Sequence, residues 1–540
     1  MTSSVGEPNK GGRRRRKAGA IEIELPSSSR QPADDLVERL IAGARVLPDR
    51  SRPVDPEPGD IGTDEIEATA AAGEPRRRMR AADDPLRILV MCNYDPYNAA
   101  TVCDHINSFY YHSRHRVFVL SNIGEPPAGF SLDAFDVVVI HYSIFLAIDA
   151  YVPPSVRASL AAFRGVKMLF IQDEYRFVNR TIRAITECGI DLVFTCVPEA
   201  EIPKVYPPEL LPNTRFVNVL TGYVPEGLKL FKPLPLAERP ITVGYRGRVY
   251  PAWHGEAGRE KHEIGRKFLA DARHYNIKCD IAWDEDSRIY GIEWVRFIQS
   301  CRAMLAVESG ASVFDFDGSV SASVETFVSV LGLSQKQSGR VREFLRGTGP
   351  YSKHPESREV YEAVRETFFE EKQNLIDLSQ LSPRVFEAAT LRTLLIMYEG
   401  QYSGAFKAWR HYVPLRKDHG NMAEVVEFLR NPVECAKMIA LAYAEVCEDD
   451  SYSYREFISR FDQHVAALAT PQRRSTVASF TRKEMDEVRP FYFIQYPYSL
   501  VTPMARRFSR NPIKLLRQLV APKPGQMGLK DIIRRIGRLG

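Results

Sequence analysis

The feature that most restricts this chain is an alternation of short apolar runs with helix-length segments, and it occurs twice. Residues 86–92 (LRILVMC) are apolar with one interruption, and comparable runs stand at 117–120, 137–140, 167–171, 192–196 and 216–220. Runs of this kind suit strands covered on both faces, as in a parallel sheet whose crossovers lie on either side. The pattern predicts a doubly wound α/β domain over 86–236. A proline-punctuated stretch, 225–240, reads as a linker. A second series of strands follows at 241–245, 278–281, 303–307, 394–397 and 412–415, with helices expected at 261–274, 292–300, 383–390, 422–429 and 433–446. Residues 310–381 are too many for a connection and read as a helical insertion in a second domain, 237–465. Two such Rossmann-like domains leave a cleft at the carboxyl ends of both sheets, where ligands of open α/β folds bind.

Charge divides the chain differently. The formal net charge of +5 conceals a basic end: residues 471–540 hold 15 Lys/Arg against 4 Asp/Glu, whereas residues 1–85 hold 15 against 16. The body between them is mildly acidic, which argues against a nucleic-acid partner, because phosphate-tracking surfaces need basic residues spread over the fold. The first 85 residues are rich in Pro, Gly, Ser, Ala and charge, and are expected to form a disordered leader. The longest apolar run, 137–152, is broken by His141 and Asp149 and is too short for a bilayer span. No apolar segment follows the arginines at 13–16 to make a secretory signal. Eight cysteines without a CxxC pair read as reduced thiols, and a cytoplasmic location is expected. In the segment 466–540, an aromatic stretch at 490–500 precedes basic amphipathic segments at 504–519 and 529–539. This tail has two readings: a peripheral contact with the anionic inner face of the cell membrane, or a brace that returns to the first domain.

Two clusters carry the chemistry. VGYRGRVY, 243–250, runs from a strand into a glycine turn with Arg246 and Arg248, and Arg259, Lys261 and a helix start follow. Arginines beside a helix N-terminus make an anion site, since unpaired N–H groups, the helix dipole and the guanidinium fork all favour phosphate. The alternative is a solvated turn paired with Glu256, Glu260 and Glu263. In SPRVFEAATLRTLLI, 382–396, Pro383 suits a first helical position. Glu387, one turn in, could accept from both hydroxyls of a ribose or simply face solvent.

In the first domain the strand ends supply Asn93, Tyr94 and Asp95, then His141 and Tyr142, then Gln172, Asp173 and Glu174. If a group transfer inverts, His141 or Asp173 could take the acceptor's proton; if it retains, these residues only position the acceptor. His105 is expected to be a packed or surface histidine. Asp315-Phe316-Asp317 spells D-x-D but is expected to cap a loop rather than hold a metal, and Asp284-Glu285-Asp286 reads as a solvated turn. No GxGxxG follows the first strand, which lowers the case for a nicotinamide enzyme.

The phrases VGYRGRVYPAWHGEAGREKHEIGRKF (243–268), SPRVFEAATLRTLLIMYEGQYSG (382–404) and HYVPLRKDHGNMAEVVEFLRN (411–431) together resemble the donor-binding half of GT-B glycosyltransferases. The likeness is to the bacterial family-1-type and spore-coat glycosyltransferase-like group, and it covers about 86–465. By that resemblance Arg248 and Lys261 would hold a donor diphosphate, with Arg246 and Arg384 as helpers. Glu387 would bind the nucleotide ribose, and Tyr402, Ser403 and Gly404 would lie beside the phosphates and sugar. Asp418 and Asn421 match a D-x-x-N turn that caps the next helix. Ser379 departs from the pattern, standing where many retaining members carry another glutamate, and the spacing from Arg248 to Lys261 is longer than the commonest one. The implied activity is hexosyl transfer from a nucleotide-sugar to a hydroxyl of a glycan, lipid-linked sugar or surface polymer, with no cofactor and no divalent metal. A nucleotide-sugar epimerase and a non-catalytic glycan-binding scaffold are the alternatives on the same architecture.

Overall fold

The computed structural model describes residues 85–94, 100–126, 130–284, 287–330 and 365–475. The expected leader before Pro85, Asp95, part of the 310–381 insertion and the aromatic and basic segments of the tail lie outside the described residues.

The first parallel sheet forms from β1 (Arg87–Cys92), β2 (Arg116–Ser121), β3 (Val137–Ile140), β4 (Val166–Ile171), β5 (Leu192–Thr195) and β6 (Arg215–Asn218). Its order is β2-β1-β3-β4-β5-β6, with every pairing parallel. Val90 stands opposite both Val119 and Val139, and all six residues of β1 are buried, as an unbroken apolar run requires. The second sheet contains β7 (Ile241–Arg246), β8 (Cys279–Ala282), β9 (Cys301–Ala306), β10 (Leu394–Tyr398) and β11 (Val413–Leu415), in the order β11-β10-β9-β7-β8, again all parallel. The molecule is thus α/β with two Rossmann-like sheets.

The helices of the first domain are α1 (Ala100–His112), α2 (Pro154–Ala162), α3 (Val178–Cys188) and the single turn α4 (Ile202–Val205). Those that follow are α5 (Gly255–His274), α6 (Ile292–Ser300), α7 (Ser319–Val330), α8 (Pro383–Thr390), α9 (Met422–Leu429), α10 (Pro432–Ala442) and α11 (Tyr454–Leu468). Within the insertion the described elements are α7 and short turns at Arg365–Phe369 and Glu370–Lys372.

The last helix departs from the sequence reading, which kept residues up to 465 with the second domain. Phe457, Ile458, Phe461 and Val465 of α11 join Phe109, Phe170 and Phe194 in the core on one face of the first sheet. Asp462 fixes the crossing, accepting from Ser113 Oγ at 2.8 Å and the Arg114 amide at 2.9 Å. An amphipathic stripe shows that a helix must cover an apolar surface without saying which one. The chain passes between the domains at two adjacent points, since the Val224 amide donates to Tyr452 O and Val224 bridges to Ser453. Beyond α11, Arg473 forks onto Asp191 and also bonds Gly165 O.

The linker is pinned by Arg239, which is buried and whose guanidinium donates to Leu234 O, Cys301 O, Thr393 Oγ1 and Arg392 O. Burial lowers its pKa to about 10. This ties the entry of β7 to the first residue of β9 and the approach to β10.

The loops at the carboxyl ends of the two sheets meet across a seam. Thr221 Oγ1 donates to Leu381 O, Gln380 Nε2 to Cys196 O, and the Phe177 amide to Asp315 O. Gly222 marks one close approach: a Cβ there would lie 2.9 Å from Thr101 Cγ2 and 3.0 Å from Pro383 Cγ.

Phe461→Ala is expected to destabilise the first domain by about 3–5 kcal/mol, the usual cost of emptying a buried aromatic site. Denaturant unfolding followed by circular dichroism checks this; a loss under about 1 kcal/mol would mean that α11 is no part of that core.

Candidate functional site

The site is best built outward from Tyr250, four residues past the end of β7. Lys261 Nζ stands 4.0 Å from the Tyr250 ring centroid, and the Arg248 guanidinium 5.7 Å from it. Lys261 first, and then Arg384 and Arg248, draw the Tyr250 phenol pKa below its ordinary value, against burial and the charge of Asp173. Three cations and one carboxylate therefore converge here from both domains.

Lys261 is 9% exposed, and among the described residues nothing accepts a hydrogen bond from its ammonium. Arg248 is exposed and likewise has no ion pair there. The glutamates that could have neutralised this turn are engaged elsewhere: Glu256 by Arg259, Glu263 by Arg266 and Glu260 by Lys417. Arg246 behaves differently from the expected phosphate helper. It pairs with Asp280 at 2.7 Å, donates to Asp280 O and lies 4.2 Å over the Phe297 ring, because its side chain turns back along the edge of the sheet.

The helix N-terminus expected beside these cations is also elsewhere. The helix begins at Gly255 rather than at 261, so Lys261 projects from its second turn. Gly255 makes the earlier start possible with φ of +64°, where a Cβ would meet Ser312 Oγ at 2.3 Å. The first-turn amides of Glu256 and Ala257 are taken by Gln373 Oε1 and Ser312 Oγ. Side chains, and not helix N–H groups, supply the positive charge.

Arg384 lies in the first turn of α8 and donates to Arg246 O at 2.6 Å, which ties α8 to the 246–250 turn. One turn on, Glu387 accepts from Trp294 Nε1 at 2.7 Å. Burial raises the Glu387 pKa, while the Trp294 bond and Arg384 lower it. One carboxylate oxygen is thereby fixed by an indole.

On the first domain, Asp173 is accessible at the end of β4. Burial of its surroundings raises its pKa, offset by Lys261, the Tyr175 hydroxyl and Arg248. Tyr175 donates to His254 Nε2 at 2.8 Å, with Asp173 Oδ1 a longer 3.4 Å away. His141 does not reach the cleft as the proposed base. It has no exposed surface, and its ring nitrogens are bonded to Ser143 Oγ and, at 3.0 Å, to His105 Nδ1. Burial holds His141 well below its usual pKa and His105 at about 3; the His105 ring packs with Phe109, Phe170 and Phe457, and the His141 ring with His105 and Tyr142. Glu174 is buried too, accepting from Thr195, Tyr206 and the Cys196 amide. Gln172 donates to Thr221 O, Tyr142 is half-buried against His141, and the Asn93 amide donates to Ser143 Oγ.

The carboxylate that sequence reasoning missed is Asp104, in the second turn of α1. Burial and the nearby charge of Glu387 push its pKa up to about 7, and among the described residues it has no hydrogen bond or ion pair. Its only sequence signal was a charge within an amphipathic helix, which reads as solvated. Tyr250 and Trp294 were missed as well; Tyr250 stood inside the quoted VGYRGRVY phrase.

Beside these groups lies a polar chamber of about 680 Å³, open to solvent, between the loops after β5 and β6 and the loops at 377–380 and 401–404. Its walls include Asn218, Thr221, Ser379, Gln380, Ser403 and Gly404, but none of Arg248, Lys261, Arg384 and Glu387. Glu308 shapes it by accepting from the amides of Gln401 and Tyr402, where φ is +47° at Tyr402 and +52° at Ser403. The Tyr402 side chain points away into the core and donates to Tyr398 O, so Ser403 and Gly404 are the parts of that loop on the chamber. Asp315 and Asp317 accept from backbone amides at the start of α7. Asp418 accepts from the Gly420 amide; Asn421 stands at the N-cap of α9, but its side chain holds Arg416 and Pro414 instead of the helix amides.

No protein-family model matches the sequence, and no curated protein matches it. Among solved structures, the chain is similar to an alpha-glucosyltransferase in complex with UDP and a 13-mer DNA containing a HMU base, at 10% identity and a TM-score of 0.39 over 71% of this chain and 100% of that one. It is also similar to AviGT4, a glycosyltransferase involved in avilamycin A biosynthesis, at 13% identity and 0.30 over 71% and 98%. A third is Alr3699/HepE of Anabaena in complex with UDP-glucose, at 8% identity and 0.34 over 71% and 98%. With identities this low and superpositions this loose, the chemistry must be read from this chain's own side chains.

A carboxyl with a folded pKa of about 7 is protonated in both states only well below the ordinary aspartate value of about 3.9; the stability it costs grows as pH rises from there to about 7 and then levels off. Asp104→Asn is therefore expected to raise the melting temperature at pH 8 and leave it nearly unchanged at about pH 3, below both values, by thermal melts of both proteins. An equal change at the two pH values would count against a perturbed Asp104.

Proposed function

We propose that this chain is a glycosyltransferase that moves a sugar from a nucleotide-sugar donor to a hydroxyl acceptor. The observation that carries the reading is the convergence of Arg248, Lys261 and Arg384 on Tyr250, with Asp173 opposing them. Such a surplus of fixed positive charge suits a diphosphate, which gains charge as it departs from the anomeric carbon. Glu387 lies one turn beyond Arg384 on the same helix, so a nucleotide with its phosphates on the cations would bring ribose hydroxyls to the oxygen that Trp294 leaves open. The polar chamber, walled by hydroxyl and amide groups, suits a polyhydroxylated ring.

The acceptor class we propose is a glycan, lipid-linked sugar or surface polymer. The basic tail would bring the chain to an anionic membrane surface, where each Lys or Arg contributes about 1 kcal/mol. If transfer inverts, the acceptor's proton needs a base on the first domain. Asp104 and Asp173 both present carboxylates with open valences, whereas His141 has none to offer.

Titration calorimetry with nucleoside diphosphates tests the donor site. A charge-assisted hydrogen bond is worth about 1.5–3 kcal/mol, so Lys261→Ala and Glu387→Ala should each weaken binding by roughly 10- to 150-fold. Unchanged affinity in both folded variants would sink the assignment. Loss of a general base typically costs about 10²–10⁴ in rate. Asp104→Asn or Asp173→Asn should lower kcat by that factor with donor affinity retained, and full kcat in both would leave no protein base on this wall.

A further inference from the structure

Two separate stretches of the second domain wall the polar chamber, 377–380 and 401–404, and the residues just past β9 hold both of them. Ser309 pairs with Gln380 through two backbone hydrogen bonds, its amide to Gln380 O at 2.7 Å and the Gln380 amide to Ser309 O at 3.0 Å. Gly310 follows with φ of +109°, so close to Leu378 that a Cβ would lie 1.7 Å from its carbonyl oxygen. Glu308, one residue before Ser309, holds the other stretch with its side chain. A single carboxylate oxygen, Oε1, accepts from the Tyr402 amide at 2.7 Å and from the Gln401 amide at 3.1 Å. Gly400 makes room for the second oxygen, since a Cβ there would lie 2.6 Å from Oε2.

The turn held in this way would not keep its shape unaided. Tyr402, Ser403 and Gly404 have φ of +47°, +52° and +75° in succession, and the first two carry side chains that disfavour such values. A conformation of this kind persists only where its surroundings over-determine it, and two charge-assisted bonds to consecutive amides are such a restraint. The outcome is that the Tyr402 side chain turns into the core, while Ser403 and Gly404 stay on the chamber. Ser403 Oγ accepts from the Leu381 amide at 3.3 Å, and among the described residues nothing takes the proton of its own hydroxyl. Leu381 O in turn accepts from Thr221 of the first domain, so the turn set by Glu308 also reaches the seam.

We propose that Glu308 is a positioning residue for the sugar of the donor, a role that rests on reading the cleft as a nucleotide-sugar site. By fixing the 401–404 turn it presents the Ser403 hydroxyl and the Gly404 backbone to a sugar in the chamber, whereas the diphosphate is held independently by Arg248, Lys261 and Arg384. Glu308 itself is not among the residues on the chamber's walls, so its carboxylate acts through the turn and takes no part in bond making. The sugar and the nucleotide are thereby recognised by separate parts of the second domain, and damage to one part can be told from damage to the other.

Titration calorimetry on the full chain tests this with ADP, GDP, UDP and dTDP and with the glucose conjugate of each. For whichever diphosphate binds, Glu308→Ala should weaken its conjugate by roughly 3- to 10-fold, the loss of one or two hydrogen bonds, and leave the bare diphosphate nearly unchanged. Glu308→Gln keeps an acceptor oxygen for the two amides and should restore most of the loss. Gly400→Ala crowds the carboxylate from the other side and should repeat the selective loss, which decides the matter even where Glu308→Ala does not fold. Equal weakening of both ligands, no weakening of either, or a Gln variant as impaired as the Ala one would each overturn the proposal. If no diphosphate binds the unaltered chain, the donor reading fails first and takes this role with it.

Discussion

Parallel pairing throughout both sheets is the constraint from which the rest of the molecule follows. A chain that pairs each strand parallel to its neighbour must carry every return across a face, and it leaves the loops of one edge free to vary while the strands stay covered. In this protein those free edges are turned toward each other. The irregular, polar residues of both domains, from Asp173 and Thr221 to Ser379 and Ser403, are therefore collected in one place, and the seam bonds from Thr221, Gln380 and Phe177 keep them there.

Within that place the electrostatics are unbalanced in one direction. A buried ammonium usually has a carboxylate or several carbonyl acceptors close by, because its desolvation is otherwise uncompensated. Lys261 has the face of Tyr250, while the glutamates on its own helix are committed to Arg259, Arg266 and Lys417. One turn beyond Arg384 the imbalance runs the other way: burial and the charge of Glu387 raise the Asp104 pKa, and Trp294 donates to Glu387. A ligand with negative charge at one end and hydroxyl donors at the other would answer both imbalances at once.

The sheets were legible because a strand covered on both faces leaves a run such as VVVI or LLIMY with little other explanation. Glu387 and Lys261 were legible through the phrases around them. What failed depended on contacts between distant segments. The start of α5 is set by Gly255 fitting against Ser312, which no local pattern reveals. His141 follows a buried strand just as Asp173 does, yet its pairing with His105 thirty-six residues earlier takes it into the core. Arg246 and Arg248 differ by two positions and look equivalent in sequence; Asp280, on the neighbouring strand, claims the first and leaves the second. Asp104 was overlooked because an isolated aspartate on a helix carries no signal until the helix is seen to face a second domain.

The two crossings between the domains deserve a mechanical reading. Val224, leaving the first domain, lies against Tyr452 and Ser453, which return to it. Two tethers fastened side by side act like the pins of a door: they permit swing about one line and resist sliding or twisting in other directions. Swinging open would release the latch between Phe177 and Asp315 and part Gln380 from Cys196, while the Val224–Tyr452 bond stayed made. The two walls could separate and return to the same register, because the pivot itself never has to find its partner again.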